Sequence, residues 1–340
     1  MLYTFGLHKH VNIKYRESAS RLARYELLCM LDHLGVRTDI HERQLGGASF
    51  LCFESRLLSP QELSFLASHS SVWFMAESVN GLLSPIAFDS PFYLPDDLPE
   101  VLKYKGKTSV PFTSLMLNVA LSLCRDLPAA SDTVILDPLC GKGTSCFCAL
   151  QRGMNAVGLD LDQRDVKETA DYFTRYLKLH MLKHTVQSRS ETFQRHAVPV
   201  TDFFFADTKE HFQTSDRRFL RLGCGDTSLV PALTRHSAPH LILADLPYGI
   251  QHAPQTGSHA EPFRRLLSRA LPVWAAVLRK GGVLALSFNT LTLPVHTVID
   301  AMEHAGLHPF TDDRVSHFRH EVEQAIVRDV VFAGKDKEES

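Results

Sequence analysis

The chain has 340 residues, 44% hydrophobic and 22% charged, which are globular values and exclude a disordered or fibrous polymer. That length accommodates one large domain or two ordinary ones. A net charge of −2 excludes the bulk basic signature of a nucleic-acid binder and leaves only local basic patches for such a role.

Residues 1–90 read as an α+β unit. The expected elements are a strand from Tyr3 to Ile13, a helix from Ser18 to Leu34, a hairpin about Gly46-Gly47 leading into Phe50-Leu-Cys-Phe53, and a helix after Ser59. Ser59 can cap that helix, with Pro60 at its first position and Glu62 behind. Met1 to Gly6 is too short for a leader peptide, and no apolar run approaches the ~18 residues of a membrane span. The seven cysteines form no Cys-x-x-Cys pair, which predicts no zinc site, no disulfide framework and a reducing, cytoplasmic setting. The eighteen histidines show no metal-ligand spacing, so no metal is expected.

Pro85, Pro91, Pro95 and Pro99 place a linker at 91–102. From 103 to 335 apolar runs alternate with helical patterns, which predicts a doubly wound α/β sheet. Thr133-Val-Ile-Leu136 reads as a buried strand, Asp137-Pro-Leu-Cys-Gly-Lys-Gly-Thr144 as a glycine turn, Ser145 to Gln151 as a helix ended by Gly153, and Ala156-Val-Gly-Leu159 as a second strand ending at Asp160. Gly141 and Gly143 permit close backbone approach to a ligand, and an acidic residue at the second strand tip can take two ribose hydroxyls. The third glycine of the dinucleotide fingerprint is missing, and Lys142 lacks the spacing of a phosphate-cradling lysine. Asp137 and Cys140 disfavour a pyrophosphate and suit a ligand with an amine and a sulfonium, S-adenosylmethionine; a tight turn in some other α/β protein is the plain alternative. Between Lys178 and Phe219 lies a polar, basic segment in which Phe203-Phe-Phe205 predicts a strand. It reads equally as a substrate-touching insertion or a surface hairpin.

Leu241-Ile-Leu-Ala244 reads as a buried parallel strand, and Asp245-Leu-Pro-Tyr-Gly249 follows where ligands bind in such sheets. Asp245 and the carbonyl of Leu246, held extended by Pro247, can accept hydrogen bonds from a ring-bound amine. Tyr248 can stack on that ring, and His252 stands close by in sequence. Cys140 is not expected to act as a nucleophile, since pyrimidine carbon methylation needs a cysteine at the base slot. Late strands are expected at Gly282 to Phe288 and Ala325 to Ala333, before a charged tail.

Taken together, Asp-Pro-x-Cys-Gly-x-Gly-Thr, Gly-x-Asp and Asp-Leu-Pro-Tyr-Gly resemble the class I S-adenosylmethionine-dependent methyltransferases, and most nearly the THUMP-related branch of tRNA guanosine N2-methyltransferases. The resemblance covers about 103–333 and extends weakly to Phe5–Val11 and Ser59–Ser71, which look like the first, ferredoxin-like half-domain of that branch. It implies a Rossmann-like sheet whose last strand is antiparallel. It further implies a cofactor site at Asp137, Pro138, Cys140, Gly141, Gly143, Thr144, Asp160 and Leu161, with Asp226 and Thr227 at the adenine amine. The acceptor site it implies is Asp245, Leu246, Pro247 and Tyr248, and Lys105–Thr108 with Leu115–Asn118 is similar to the element that covers the cofactor. Transfer to an exocyclic amine of tRNA, most of all guanosine N2, is the implied activity, with a small activator subunit left open. The chain departs from the branch in lacking room for a complete THUMP domain between 72 and 103, and in carrying Leu246 where the motif has its first proline. Two rivals remain: methylation of DNA adenine or a small amine-bearing metabolite, and a catalytically idle RNA-binding or partner subunit.

Overall fold

The computed structural model describes residues 1–8, 13–100, 109–247, 261–323 and 325–336. The N-terminal part runs β1 (Leu2–Leu7), α1 (Ile13–His33), β2 (Ile40–Leu45), β3 (Ala48–Glu54), α2 (Pro60–Ala67), β4 (Val72–Val79) and β5 (Leu82–Pro85). Its sheet has the order β2-β3-β1-β4-β5, and every pair in it is antiparallel. The first six elements run βαββαβ, in the ferredoxin-like arrangement. The first strand ends at Leu7, short of the expected Ile13, because Ile13 begins α1 instead of following a strand. Lys14, Arg16 and Glu17 are good helix formers, so the helix starts five residues before Ser18. α2 carries the anticipated capping box, with Ser59 and Glu62 each satisfying the other's backbone N–H.

The second part runs α3 (Val110–Leu123), β6 (Val134–Asp137), α4 (Thr144–Gln151), β7 (Asn155–Asp160), α5 (Gln163–Leu179), β8 (His184–Phe193), β9 (His196–Phe205), α6 (Lys209–Gln213), β10 (Arg218–Cys224), α7 (Val230–Thr234), β11 (Leu241–Asp245), α8 (Glu261–Val277), β12 (Val283–Asn289), α9 (Val295–His304), β13 (His308–Pro309), β14 (His320–Glu323) and β15 (Ile326–Gly334). These strands form one sheet, β13-β15-β12-β11-β6-β7-β10-β9-β8, with β14 paired to β15. The five strands β10-β7-β6-β11-β12 are parallel and lie in the doubly wound order 3-2-1-4-5. β15 runs antiparallel to β12, as the resemblance implies. One face of the sheet buries Ile135, Leu241, Leu243, Ala285 and Phe332 with Phe112 and Phe173, and the other buries Leu136, Ile242, Leu284 and Phe288 with Trp274. The 178–219 segment is an antiparallel hairpin, β8–β9, that extends the sheet beyond β10; Phe203 and Phe205 pack edge-on against Phe173.

The two parts share α1. Ala23, Leu27, Met30 and Leu31 face the small sheet, whereas Leu22 and Cys29 join the core of the large one. A buried polar network crosses the same junction. Asn118 Nδ2 donates to Glu26 Oε1 at 2.5 Å, Ser70 N donates to the same oxygen at 2.8 Å, and Arg152 donates to Asn118 Oδ1 and to Ser68 O. Glu26 and Asn118 are fully buried; the Glu26 carboxylate is met by Asn118, Ser70 and His69, and the Arg152 guanidinium by the neutral oxygens of Asn118 and Ser68, as buried charge requires. The proline-rich 91–102 stretch, where described, is a packed strap rather than a loose connection. Tyr93 N and Leu94 N donate to Gln151 O at 2.7 and 3.2 Å, Leu94 and Leu98 are buried in the large core, and Tyr172 Oη donates to Leu98 O.

Candidate functional site

The sheet reverses direction of winding between β6 and β11, so the crevice beyond their carboxyl ends is where a ligand fits. Asp137 ends β6 and Asp245 ends β11, on the two sides of that crevice.

On the β6 side, the turn works as its glycines predict. Gly141 and Gly143 have φ of +48° and +80°, a region that suits glycine. A Cβ on Gly141 would meet nothing within 4 Å, so open space lies above the turn; one on Gly143 would stand 2.8 Å from Thr169 Cγ2. Asp160 closes the turn from β7. Its Oδ2 accepts from Gly141 N at 2.7 Å and its Oδ1 from Asp162 N at 2.9 Å. Asp226, after β10, accepts from Ser228 N and Oγ and from Arg269 at 2.8 Å. Burial opposes its charge, yet these hydrogen bonds and the guanidinium hold its carboxyl below the ordinary range. Leu161, beside Asp160, is 72% exposed and offers an apolar surface over this end of the crevice.

Other residues of the implied cofactor set turn inward. Asp137 is buried, accepting from Leu139 N at 3.0 Å and from the Ser145 hydroxyl. Burial pushes its carboxyl up to about 7 against those two bonds, and Asp160 and Asp245 add to the rise. Thr227 is buried, with its hydroxyl accepting from Trp274 Nε1 at 3.0 Å. Pro138 and Thr144 are buried in the turn. Burial raises the Cys140 and Cys146 thiols well above their usual range, which removes the thiolate that a nucleophile needs. Lys142 pairs with Glu168 and Asp165, away from any phosphate role.

On the β11 side, Leu246 N donates to Ser287 O at 2.9 Å, which continues the ladder into Pro247 and fixes the direction of the chain there. Leu246 is buried, and Asp245 is partly exposed at 22% of its side chain. Tyr248, Gly249, His252 and Lys105 to Thr108 lie outside the described residues. Ser287 stands beside Asp245 in the parallel register, fully buried, and its Oγ has no hydrogen-bond partner among the described residues. Arg328, on β15, is buried and brings Nη2 to 3.9 Å from Asp245 Oδ2. Its guanidinium lies over the Phe112 ring at 4.8 Å, and His320 packs against the same ring at 4.9 Å. Burial, with Arg328 and Arg21 adding positive charge, lowers His320 to about 4, so it is neutral at pH 7.

The sequence reading did not single out Arg328, Ser287 or Phe112. A partial signal was present: two charges, Arg328 and Asp329, within the otherwise apolar run Ile326-Val-Arg-Asp-Val-Val-Phe332. Among the described residues, no group of His, Cys, Asp or Glu is arranged to hold a metal, and no helix is long and apolar enough to cross a membrane.

The parallel order 3-2-1-4-5, the antiparallel strand beside its end and the glycine turn at the crevice define a Rossmann-like, doubly wound α/β fold. No family model matches the sequence, and no curated protein does. Among solved structures the chain is similar to TrmN from Thermus thermophilus, at 14% identity and TM-score 0.40, covering 88% of this chain and 60% of that one. It is also similar to the Thermus thermophilus 16S rRNA N2 G1207 methyltransferase RsmC, solved with AdoMet and guanosine, at 16% identity and TM-score 0.37, covering 88% and 58%. Precorrin-6y C5,15-methyltransferase from Geobacter metallireducens shares 14% identity at TM-score 0.39, over 72% of this chain and 98% of its own. The chain thus spans about three-fifths of the first two, 60% and 58%. At these identities and scores the fold class rests on the strand order.

Proposed function

We propose that this chain is an S-adenosylmethionine-dependent RNA methyltransferase that modifies an exocyclic base amine, with guanosine N2 of a tRNA as its acceptor. The observation that carries the reading is the placement of Asp245 and the Leu246-Pro247 backbone at the end of β11, across the crevice from an open glycine turn at the end of β6. That turn suits the cofactor. Space above Gly141 accepts a bulky ligand, Asp160 oxygens that each take one backbone N–H keep a further lone pair for ribose hydroxyls, and Leu161 offers apolar cover for an adenine. Asp137 acts by shaping the turn, and Thr227 by anchoring Trp274, rather than by touching the ligand.

When bound, S-adenosylmethionine supplies an electrophilic methyl group on a sulfonium. The protein's part is to present the amine. Asp245 and the Leu246 carbonyl accept its two hydrogens, which draws the nitrogen toward tetrahedral geometry and frees its lone pair. Asp245 then accepts a proton late, or the proton leaves to solvent. Positioning and exclusion of water account for most of the acceleration in such a site. The net charge of −2 favours one second reading, a small amine-bearing metabolite as acceptor.

The test is transfer of labelled methyl from S-adenosylmethionine to bulk tRNA lacking the modification, followed by digestion to nucleosides, with Asp245→Ala as control. Label in N2-methylguanosine that disappears in the variant is the expected result. Label in another nucleoside would overturn the acceptor, and none in nucleic acid, with cofactor binding intact, would move the assignment to a small molecule.

A further inference from the structure

One polar row occupies the sheet face under α3, at the carboxyl end of the parallel strands. Asp245 on β11, Ser287 on β12 and Arg328 on β15 share that face with Leu243, Ala285 and Val330 of the large core. A buried arginine in an apolar strand is costly unless a partner or a function holds it. Here the surroundings hold it in one place. Phe112 lies flat beneath the guanidinium. The backbone that carries it is pinned by Asn289, whose Oδ1 accepts from Val327 N at 3.1 Å and whose Nδ2 donates to Ala325 O at 3.0 Å. The neighbouring strand β14 pairs His320 with Arg328, and the chain entering it is gripped from α1, where Arg21 donates to His317 O and, at 2.5 Å, to Arg319 O.

We propose that Arg328 is a positioning residue for the acceptor site: its fixed positive charge orients the Asp245 carboxylate toward the incoming amine. This rests on the proposed reading of Asp245 as the group that receives the amine. The separation matters. At 3.9 Å the guanidinium acts on the carboxylate through its charge, outside hydrogen-bond range. A bidentate arginine, by contrast, would occupy the carboxylate. The N-terminal unit gains a part in the reaction without touching substrate, because its α1 grips the hairpin that sets Arg328.

Two measurements on the full chain test this. In the first, Arg328→Met keeps the stem and removes the charge, and Arg328→Lys keeps the charge. Arg328→Met is expected to lower kcat for methyl transfer by about 100-fold, the scale of a 1 Å misplacement, with the KM for S-adenosylmethionine within about twofold and Arg328→Lys recovering a large part of the rate. Equal loss in both variants, an unchanged kcat, or a fall confined to cofactor KM would overturn the proposal. The second needs no turnover: a double-mutant cycle in thermal unfolding with Asp245→Asn and Arg328→Met. The two changes in Tm are expected to be non-additive, as for groups in direct contact, and additive changes would overturn the coupling. Wild-type protein that methylates no acceptor would sink the proposed function, while the cycle would still decide whether Arg328 acts on Asp245.

Discussion

The two sides of the crevice handle their carboxylates differently. On the β6 side, Asp137, Asp160 and Asp226 all accept hydrogen bonds, from their own loops and from neighbouring elements: Leu139 N and Ser145 for Asp137, Gly141 N of the β6 turn and Asp162 N for Asp160, Ser228 and Arg269 of α8 for Asp226. On the β11 side, Asp245 faces a buried guanidinium beyond hydrogen-bond range, beside a serine hydroxyl with no partner among the described residues. A carboxylate tied to backbone N–H groups builds a rigid turn, which suits a ligand bound the same way in every cycle. At Asp245 the Arg328 charge acts at 3.9 Å, a separation that leaves the carboxylate less tightly bound to this side chain than a hydrogen bond would.

The largest effect is expected at Asp137. Its carboxyl titrates near 7 in the folded protein and near 3.8 in an open chain. Between those values the unfolded state holds fewer protons, so the stability due to this group is fully present below about pH 4, falls as pH rises, and is lost above about pH 7. Asp137→Asn has no proton to lose. The difference in urea unfolding free energy between variant and wild type should therefore shift in the variant's favour by on the order of 4 kcal/mol from pH 4 to pH 7.5. A difference independent of pH would contradict the placement of Asp137 inside the turn.

Gly143→Ala should have a smaller effect. The backbone at φ +80° opposes a side chain, and the new Cβ would push against the buried Thr169 methyl at 2.8 Å. A loss of about 2 kcal/mol in unfolding free energy is expected, with weaker cofactor binding by calorimetry. Gly141→Ala, with open space around its Cβ, should cost about half as much stability. Reversal of that order would mean that the turn is set by something other than these contacts. The smallest effect belongs to Arg269→Ala. Arg269 is 61% exposed, so its pair with Asp226 is screened and worth under about 1 kcal/mol. A cofactor Kd that moves more than about fivefold would give Arg269 a direct part in binding.

Much of the site was legible because its signals are local. The apolar run before Asp137, the glycines after it and Asp160 at the next strand tip lie within one strand-turn-helix-strand segment, and Asp245-Leu-Pro is read the same way. The charge of Arg328 stood out in its apolar run, but its place near Asp245 was not legible, since only the antiparallel return of β15 beside β12 carries it there. In the small domain β4 was hidden for a local reason: Val72-Trp-Phe-Met-Ala-Glu-Ser-Val79 opens with five successive apolar residues and lacks the alternation that marks a half-buried strand. The prolines at 91–99 lie in a stretch without helix or strand, and Leu94 and Leu98 fasten it to the core through contacts no linker pattern reveals.

The most direct measurement is equilibrium binding of S-adenosylmethionine to wild type, Asp160→Ala and Asp245→Ala. The account predicts that wild type binds, that Asp160→Ala weakens binding more than about tenfold by removing its ribose contact and the Gly141 bond, and that Asp245→Ala stays within about twofold because its contact is to the acceptor. Binding lost in Asp245→Ala and kept in Asp160→Ala would contradict the division of the crevice into a cofactor side and an acceptor side.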